Sequence, residues 1–281
     1  MAELFIELFS EEIPTKLQID AREKIKKNIT ENLQKKEIKY TSSKSFSTPK
    51  RLVFFIEKIP KKIKEDKKII KGPRIDAPQA ALEGFIKSNK LNKADIYKKK
   101  IDKGEFYFAE KKPKEIDVLE ELEVIIPEVL QTYSWKKSMK WSIYDLSWAR
   151  PLKSIIALFD NKIINFKFFH LQSSNITLID GTKEDKIKKV KNFSSYLNIL
   201  ESKNIVLDQE KRKNIMIKKM NNICNTKNLK NIFNEKLIEE VVNLVEKPNI
   251  ILCKFDQTYL EIPQEILIVT MQQHQKYFPL F

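Results

Sequence analysis

The stretch best furnished for chemistry runs Trp135-Lys136-Lys137-Ser138-Met139-Lys140-Trp141 and on to Trp148-Ala149-Arg150-Pro151. All three tryptophans of the chain fall within these residues, interleaved with cations. Aromatic faces stack on unpaired bases while Lys and Arg hold phosphates, so such a stretch suits RNA binding. The same residues also suit a tight packing corner, with Trp filling core space and Lys reaching to solvent, and spacing alone favours that reading.

Arginine is the second signal. Of 53 basic residues only five are Arg (Arg22, Arg51, Arg74, Arg150 and Arg212). In a chain so biased to Lys, a retained Arg points to a position where a planar, bidentate guanidinium does what an ammonium cannot. Arg51 follows Thr48-Pro49-Lys50, Arg74 follows Gly72-Pro73, and Arg150 precedes Pro151. All three lie in Pro-marked turns, where loops tend to hold function. The alternative is a buried Arg–carboxylate pair that fixes the turn.

Other chemistry is thinly supplied. The 4 glycines, at 72, 84, 104 and 181, form neither a Walker loop nor a dinucleotide fingerprint. His170 and His274 stand apart from any Cys/His cluster, and each reads as a structural histidine. Glu11 and Glu12 are neighbours after a strand, which suits a turn or a helix entry better than paired acid–base work. Cys224 and Cys253 form no disulfide framework or zinc site by themselves, so a reducing cytoplasm is expected.

The elements that would position these residues follow from periodicity. Leu4–Phe9 reads as a buried strand, Thr15–Lys36 as a helix with Thr15 at its N-cap, and Arg51–Ile59 as a second strand. Residues 67–71 suit a short strand closed by Gly72-Pro73, and residues 78–89 a helix. Residues 96–110 suit a hairpin turning at Gly104, and residues 115–133 a helix that Pro127 should kink or interrupt. A second hairpin is expected from Leu152–Phe159 and Ile163–Phe169 around Asp160-Asn161. Helices are expected at 186–200, 208–223, 234–245 and 263–273, and strands at 204–207 and 249–255. No strict βαβ rhythm runs through them, so the fold class is α+β, with mixed or antiparallel sheets and packed helices.

Bulk composition agrees with a folded chain. Of 281 residues 42% are hydrophobic, enough for a sizeable core, and only 4 Gly and 11 Pro exclude collagen-like or low-complexity classes. The formal charge of +15 favours a polyanionic partner, either nucleic acid or an anionic surface, against the alternative of a solvated lysine-biased exterior. No apolar run approaches the ~18 residues of a membrane span, and the first residues lack the basic start of a signal peptide. The apolar close Tyr277–Phe281 reads as a point of truncation.

Several short motifs then occur in one order: Leu4-Phe5-Ile6-Glu7 with Glu11-Glu12-Ile13-Pro14, Thr48-Pro49-Lys50-Arg51-Leu52, Lys71-Gly72-Pro73, Lys103-Gly104-Glu105-Phe106, and Lys137-Ser138-Met139-Lys140-Trp141. Arg150-Pro151, Glu239-Glu240-Val241 with Val245-Glu246, and His274-Gln275-Lys276-Tyr277-Phe278-Pro279 complete the series. In this order the chain resembles the N-terminal part of the beta subunit of bacterial heterotetrameric glycyl-tRNA synthetase. It departs from the family at 175–181, where a Gly-His-Arg-Phe type segment is usual, and at Lys247, where Trp commonly precedes Pro248. The family's beta subunit is more than twice this length, with later helical and anticodon-binding regions.

The resemblance implies a tRNA-recognising subunit of an aminoacyl-tRNA ligase in protein biosynthesis, non-catalytic alone. ATP and Mg would be used by a separate alpha subunit, with no cofactor or metal in this chain. The implied partners are the alpha subunit and tRNA(Gly), in a cytoplasmic complex of two alpha and two beta subunits with no membrane. The implied fold is similar to the B3/B4 region of the phenylalanyl-tRNA synthetase beta subunit. Where Lys-rich helices begin after Gly181, the sequence suggests a boundary, with 1–181 as an α+β portion and 182–281 as a helix-rich portion with a strand near 249–255. Candidate RNA-binding or structural residues are Arg51, Arg74, Trp135, Lys137, Lys140, Trp141, Arg150, His274 and Lys276. The competing readings are a stand-alone basic RNA-binding module and a hydrolase editing mischarged tRNA; no nucleophile–base pair supports the latter.

Overall fold

The computed structural model describes residues 1–64, 68–89, 91–101, 104–111, 115–179, 187–232 and 234–281. The chain divides into two compact units, residues 1–60 with 122–281 and residues 61–121. The expected boundary at 181/182 lies outside the described residues.

In the first unit β1 (Ala2–Ser10) is followed by helix α1 (Thr15–Lys35), β2 (Ser42–Thr48) and β3 (Arg51–Ile59). The smaller unit supplies β4 (Lys62–Lys64), β5 (Lys68–Arg74), α2 (Gln79–Asn89), β6 (Ile96–Ile101), β7 (Gly104–Lys111) and β8 (Glu115–Asp117). Then come α3 (Val118–Thr132), β9 (Leu152–Phe159), β10 (Lys162–Ile163), β11 (Lys167–Phe168), β12 (Leu171–Gln172), β13 (Ile176–Leu178) and β14 (Ile187–Lys189). Helices α4 (Phe193–Ser202), α5 (Gln209–Lys227), α6 (Glu235–Val242) and α7 (Gln264–Val269) follow. The paired strands are antiparallel, so the α+β class holds.

The first unit is built on a five-stranded sheet in the order β10-β9-β1-β3-β2. Its central strand β1 is buried on both faces, which is why Leu4–Phe9 reads as a nearly continuous apolar run. Phe5, Val53, Phe55, Ile156 and Leu158 point to one face and pack with Phe193, Tyr196 and Leu200 of α4. Helix α1 covers the other face, burying Ala21, Ile25, Ile29 and Leu33. Four such apolar side chains contribute about 1.5–3 kcal/mol each when fully buried, Ala less.

Local chemistry sets several turns. Asp160 and Asn161 sit at φ 50° and 64°, giving the left-handed two-residue turn that joins β9 to β10. Asp208 caps α5 by accepting from the amides of Glu210 and Lys211, and Asn228 ends that helix at φ 52°. Asn192 and Ser195 form a reciprocal capping box on α4.

Several expectations need correction. Thr15 is the first helical residue of α1, and Pro14 occupies the cap position without a side-chain bond. Helix α3 starts at Val118 and runs through Pro127 unbroken, because burial of Leu122, Ile126 and Val129 holds it. The second hairpin ends at Ile163; Lys167 and Phe168 pair with β12 instead. Residues 187–189 are strand, not helix, and α4 begins only at Phe193. Residues 204–207 and 249–255 form no strand: Ile251, Leu252 and Phe255 are exposed and meet no ladder. The last helix, α7, continues into a π-helical turn at Thr270–His274.

Candidate nucleic-acid interface

The 135–150 segment separates into an inner and an outer set. Trp135 and Trp148 are buried and meet edge to face at 5.0 Å. Tyr133 adds a perpendicular ring 5.0 Å from Trp135, and Phe168 lies 5.8 Å from Trp148. The backbones of Met139 and Trp148 bond reciprocally at 2.8 and 3.1 Å, closing the loop between them. This is a packing corner, and neither ring has a face for a base.

Trp141 is different. It is only partly buried and stands 6.0 Å edge-on from the ring of His170, which stacks on Tyr144 at 3.8 Å with 13° between planes. Around this surface stack, Lys137, Lys140 and Arg150 are exposed. Lys140 pairs with Asp145 at 2.7 Å. Arg150 Nε donates to the Glu12 carbonyl at 3.2 Å and its Nη1 to Met139 Sδ at 3.9 Å, on a side chain that is otherwise exposed. Tyr144 and His170 were not legible as part of this cluster, because His170 comes from the turn between β11 and β12. Tyr144, three residues after Trp141, was the available signal.

Arg51 is wholly buried, so its guanidinium is out of reach of RNA in this fold. Its Nη1 donates to Glu7 Oε1 at 2.6 Å and Thr177 Oγ1 at 2.9 Å, Nη2 to the Leu178 carbonyl at 2.7 Å, and Nε to Glu246 Oε1 at 3.1 Å. Burial alone would lower its pKa, but Glu7, Tyr196 and Glu246 outweigh that and raise it. The Tyr196 hydroxyl also donates to Glu7 Oε1, at 2.6 Å. The centre joins β1, β3, β13, α4 and the turn after α6.

Arg212, not singled out by the sequence, is equally buried. It donates to four carbonyls: Val206, Leu207 and Ser47 at 2.7 Å each and Val242 at 3.0 Å. Burial pulls its pKa down to about 10, with Glu246 and Asp208 acting the other way. Its signal in the sequence was arginine scarcity, the same one that marked Arg51.

The remaining candidates are dispersed. Arg74 belongs to the smaller unit, exposed, 3.4 Å from Asp76. His274 is exposed at the end of the π-helical turn. Lys276, at φ 59°, reaches Glu240 at 2.9 Å. Among the described residues no group of His, Cys, Asp or Glu is arranged to hold a metal, and no helix is long and apolar enough to cross a membrane.

Comparison with known proteins completes the picture. The family model described as glycyl-tRNA synthetase beta subunit matches residues 4–281. The glycine–tRNA ligase beta subunit of Rickettsia felis is 38% identical over 283 residues, covering 100% of this chain and 42% of the relative. That of Rickettsia akari is 38% identical over 281 residues, again 100% of this chain and 42% of the relative. That of Rickettsia prowazekii is 37% identical, with the same coverage of 100% and 42%. The chain thus spans under half the length of these relatives, and the match covers the whole of this chain. With the family model covering all but the first three residues, the chain belongs to the glycyl-tRNA synthetase beta subunit family.

Proposed function

We propose that this chain serves a glycine–tRNA ligase by holding tRNA(Gly), beside a separate alpha subunit that activates glycine with ATP and Mg. The observation that carries this reading is the family match over residues 4–281. The full assembly is taken as two alpha and two beta subunits working in the cytoplasm.

The chain's own contribution is binding. Trp141 and Tyr144 offer ring faces for unpaired bases, and Lys137, Lys140 and Arg150 offer phosphate contacts. Phosphate contacts position an RNA, and stacking selects unpaired nucleotides within it. The buried centres of Arg51 and Arg212 keep the supporting sheet and helices in register.

The deciding experiment combines this chain with a purified glycine–tRNA ligase alpha subunit and tRNA(Gly). Binding of tRNA(Gly) in preference to an unrelated tRNA, and co-elution with the alpha subunit, are expected. Equal binding of any RNA with no alpha-subunit association would replace this reading with a stand-alone basic module.

A further inference from the structure

We propose that the open face of the β5-β7-β6 sheet in the smaller unit is a stacking platform for two successive unpaired RNA nucleotides. This rests on the tRNA-holding reading above and adds a place for part of that RNA. In register, Phe108 stands between Lys71 and Tyr97, and Phe106 stands beside Lys99 and Arg74. Period-two alternation puts Tyr97, Lys99, Phe106, Phe108 and Lys71 on one face.

Helix α2 lies on the opposite face. A Cβ at Gly72 would come within 2.9 Å of the Phe85 ring, and residue 72 points away from the side that Lys71 takes. The Lys71 face is only partly covered: Ile69 is 58% exposed and Tyr97 37%, with Phe106 and Phe108 half-buried.

Its chemistry is specific. Tyr97 and Phe108 stack with centroids 6.2 Å apart. The Lys71 ammonium sits 3.6 Å above the Phe106 ring, and Lys99 lies 6.0 Å from that of Phe108. Neither lysine has an ion-pair partner among the described residues. Lys98 and Lys100, exposed on either side of Lys99 in β6, alternate to the opposite face and add only general positive charge. Two cations, Lys71 and Lys99, beside half-buried rings attract a polyanion that also carries flat apolar faces. Phe106 and Phe108, two residues apart on one strand, are separated by about 7 Å, close to the step between nucleotides of an extended strand. Paired bases have no free face, so a duplex gains only the charge.

The test uses the full chain and its Tyr97→Leu/Phe108→Leu variant. Fluorescence anisotropy follows a labelled octauridylate, a blunt RNA duplex and tRNA(Gly). The variant should lose ~10-fold or more in affinity for octauridylate while holding duplex affinity within about twofold. Unchanged octauridylate binding, or equal loss for strand and duplex, overturns the platform. If the wild-type chain binds tRNA(Gly) while the variant behaves unchanged on octauridylate, the platform alone fails; if the wild type binds no RNA, both readings fall. Should the variant misfold by circular dichroism, photocrosslinking of the wild type to 4-thiouridine octamers decides. Adducts on Tyr97, Phe106 or Phe108 sustain the platform, and adducts confined elsewhere overturn it.

Discussion

Arg51 Nη1 donates to Glu7 Oε1 across 2.6 Å, and neither side chain has any exposed surface. The pair links β3 to the central strand β1 inside the core that α4 covers. Removing one partner leaves the other charged in low dielectric, which typically costs about 3–5 kcal/mol. Arg51→Met is therefore expected to lower stability by that order in urea unfolding. Glu7→Leu combined with Arg51→Met should lose less than the sum of the single variants. An Arg51→Met loss under ~1 kcal/mol would mean the pair is not what holds the sheet.

Alkaline stability should report on Tyr196. Burial first, then the Glu7 charge, raises its pKa well above the ordinary 10.0. A phenol whose folded pKa is raised holds its proton longer in the folded than in the unfolded state. Its contribution is complete below the unfolded value and is lost as pH climbs from about 10 toward the folded value. Melting temperature should thus fall as pH rises above about 10, and Tyr196→Phe should shallow that fall while costing stability at pH 7. Parallel curves for the two proteins would sink the assignment.

The two tryptophan environments separate stability from binding. Trp148→Ala, in the buried aromatic corner, is expected to cost about 3–5 kcal/mol. Trp141→Ala should change stability by less than ~1 kcal/mol, since the ring is partly solvated, and should weaken tRNA binding ~5-fold or more. Thermal unfolding and a binding titration on the same two variants test this. A stable Trp148→Ala protein would contradict the corner.

Arginine geometry gives a matched comparison. Arg150→Lys keeps the charge at an exposed position and should shift stability by less than ~0.5 kcal/mol. Arg212→Lys replaces a fork on four carbonyls by one ammonium, and charged hydrogen bonds contribute about 1.5–3 kcal/mol each. A loss above ~2 kcal/mol is expected from Arg212→Lys. Equal melting temperatures for the two variants would end the argument from arginine scarcity.

Phosphate contacts predict a further property. Affinity for tRNA(Gly) should fall steeply with salt, with a log–log slope that counts the contacts. Lys137→Ala/Lys140→Ala should make that slope shallower by about one to two. An unchanged slope would place the RNA elsewhere on the chain.

Much of the architecture was legible because local pattern and burial coincide. Leu4–Phe9 is apolar on both sides because both faces of β1 are covered, and the Asp160-Asn161 turn follows from residues that tolerate positive φ. The ordered motifs alone carried the family. Other features depended on partners far along the chain. β2, with the polar sequence SSKSFST, is strand because β3 supplies its ladder through the turn at Pro49-Lys50. Residues 249–255 have strand composition yet meet no neighbour, and the carbonyls of Val206 and Leu207 go to Arg212 instead of a sheet. Composition marked Arg51 and the tryptophans as special, but whether a cation or ring faces solvent is set by what packs over it. Tertiary packing therefore decided that Arg51, Trp135 and Trp148 go inside and that Trp141, Tyr144 and His170 meet at the surface. Propensity acts between near neighbours, whereas strand pairing and burial act between residues that only the folded chain brings together.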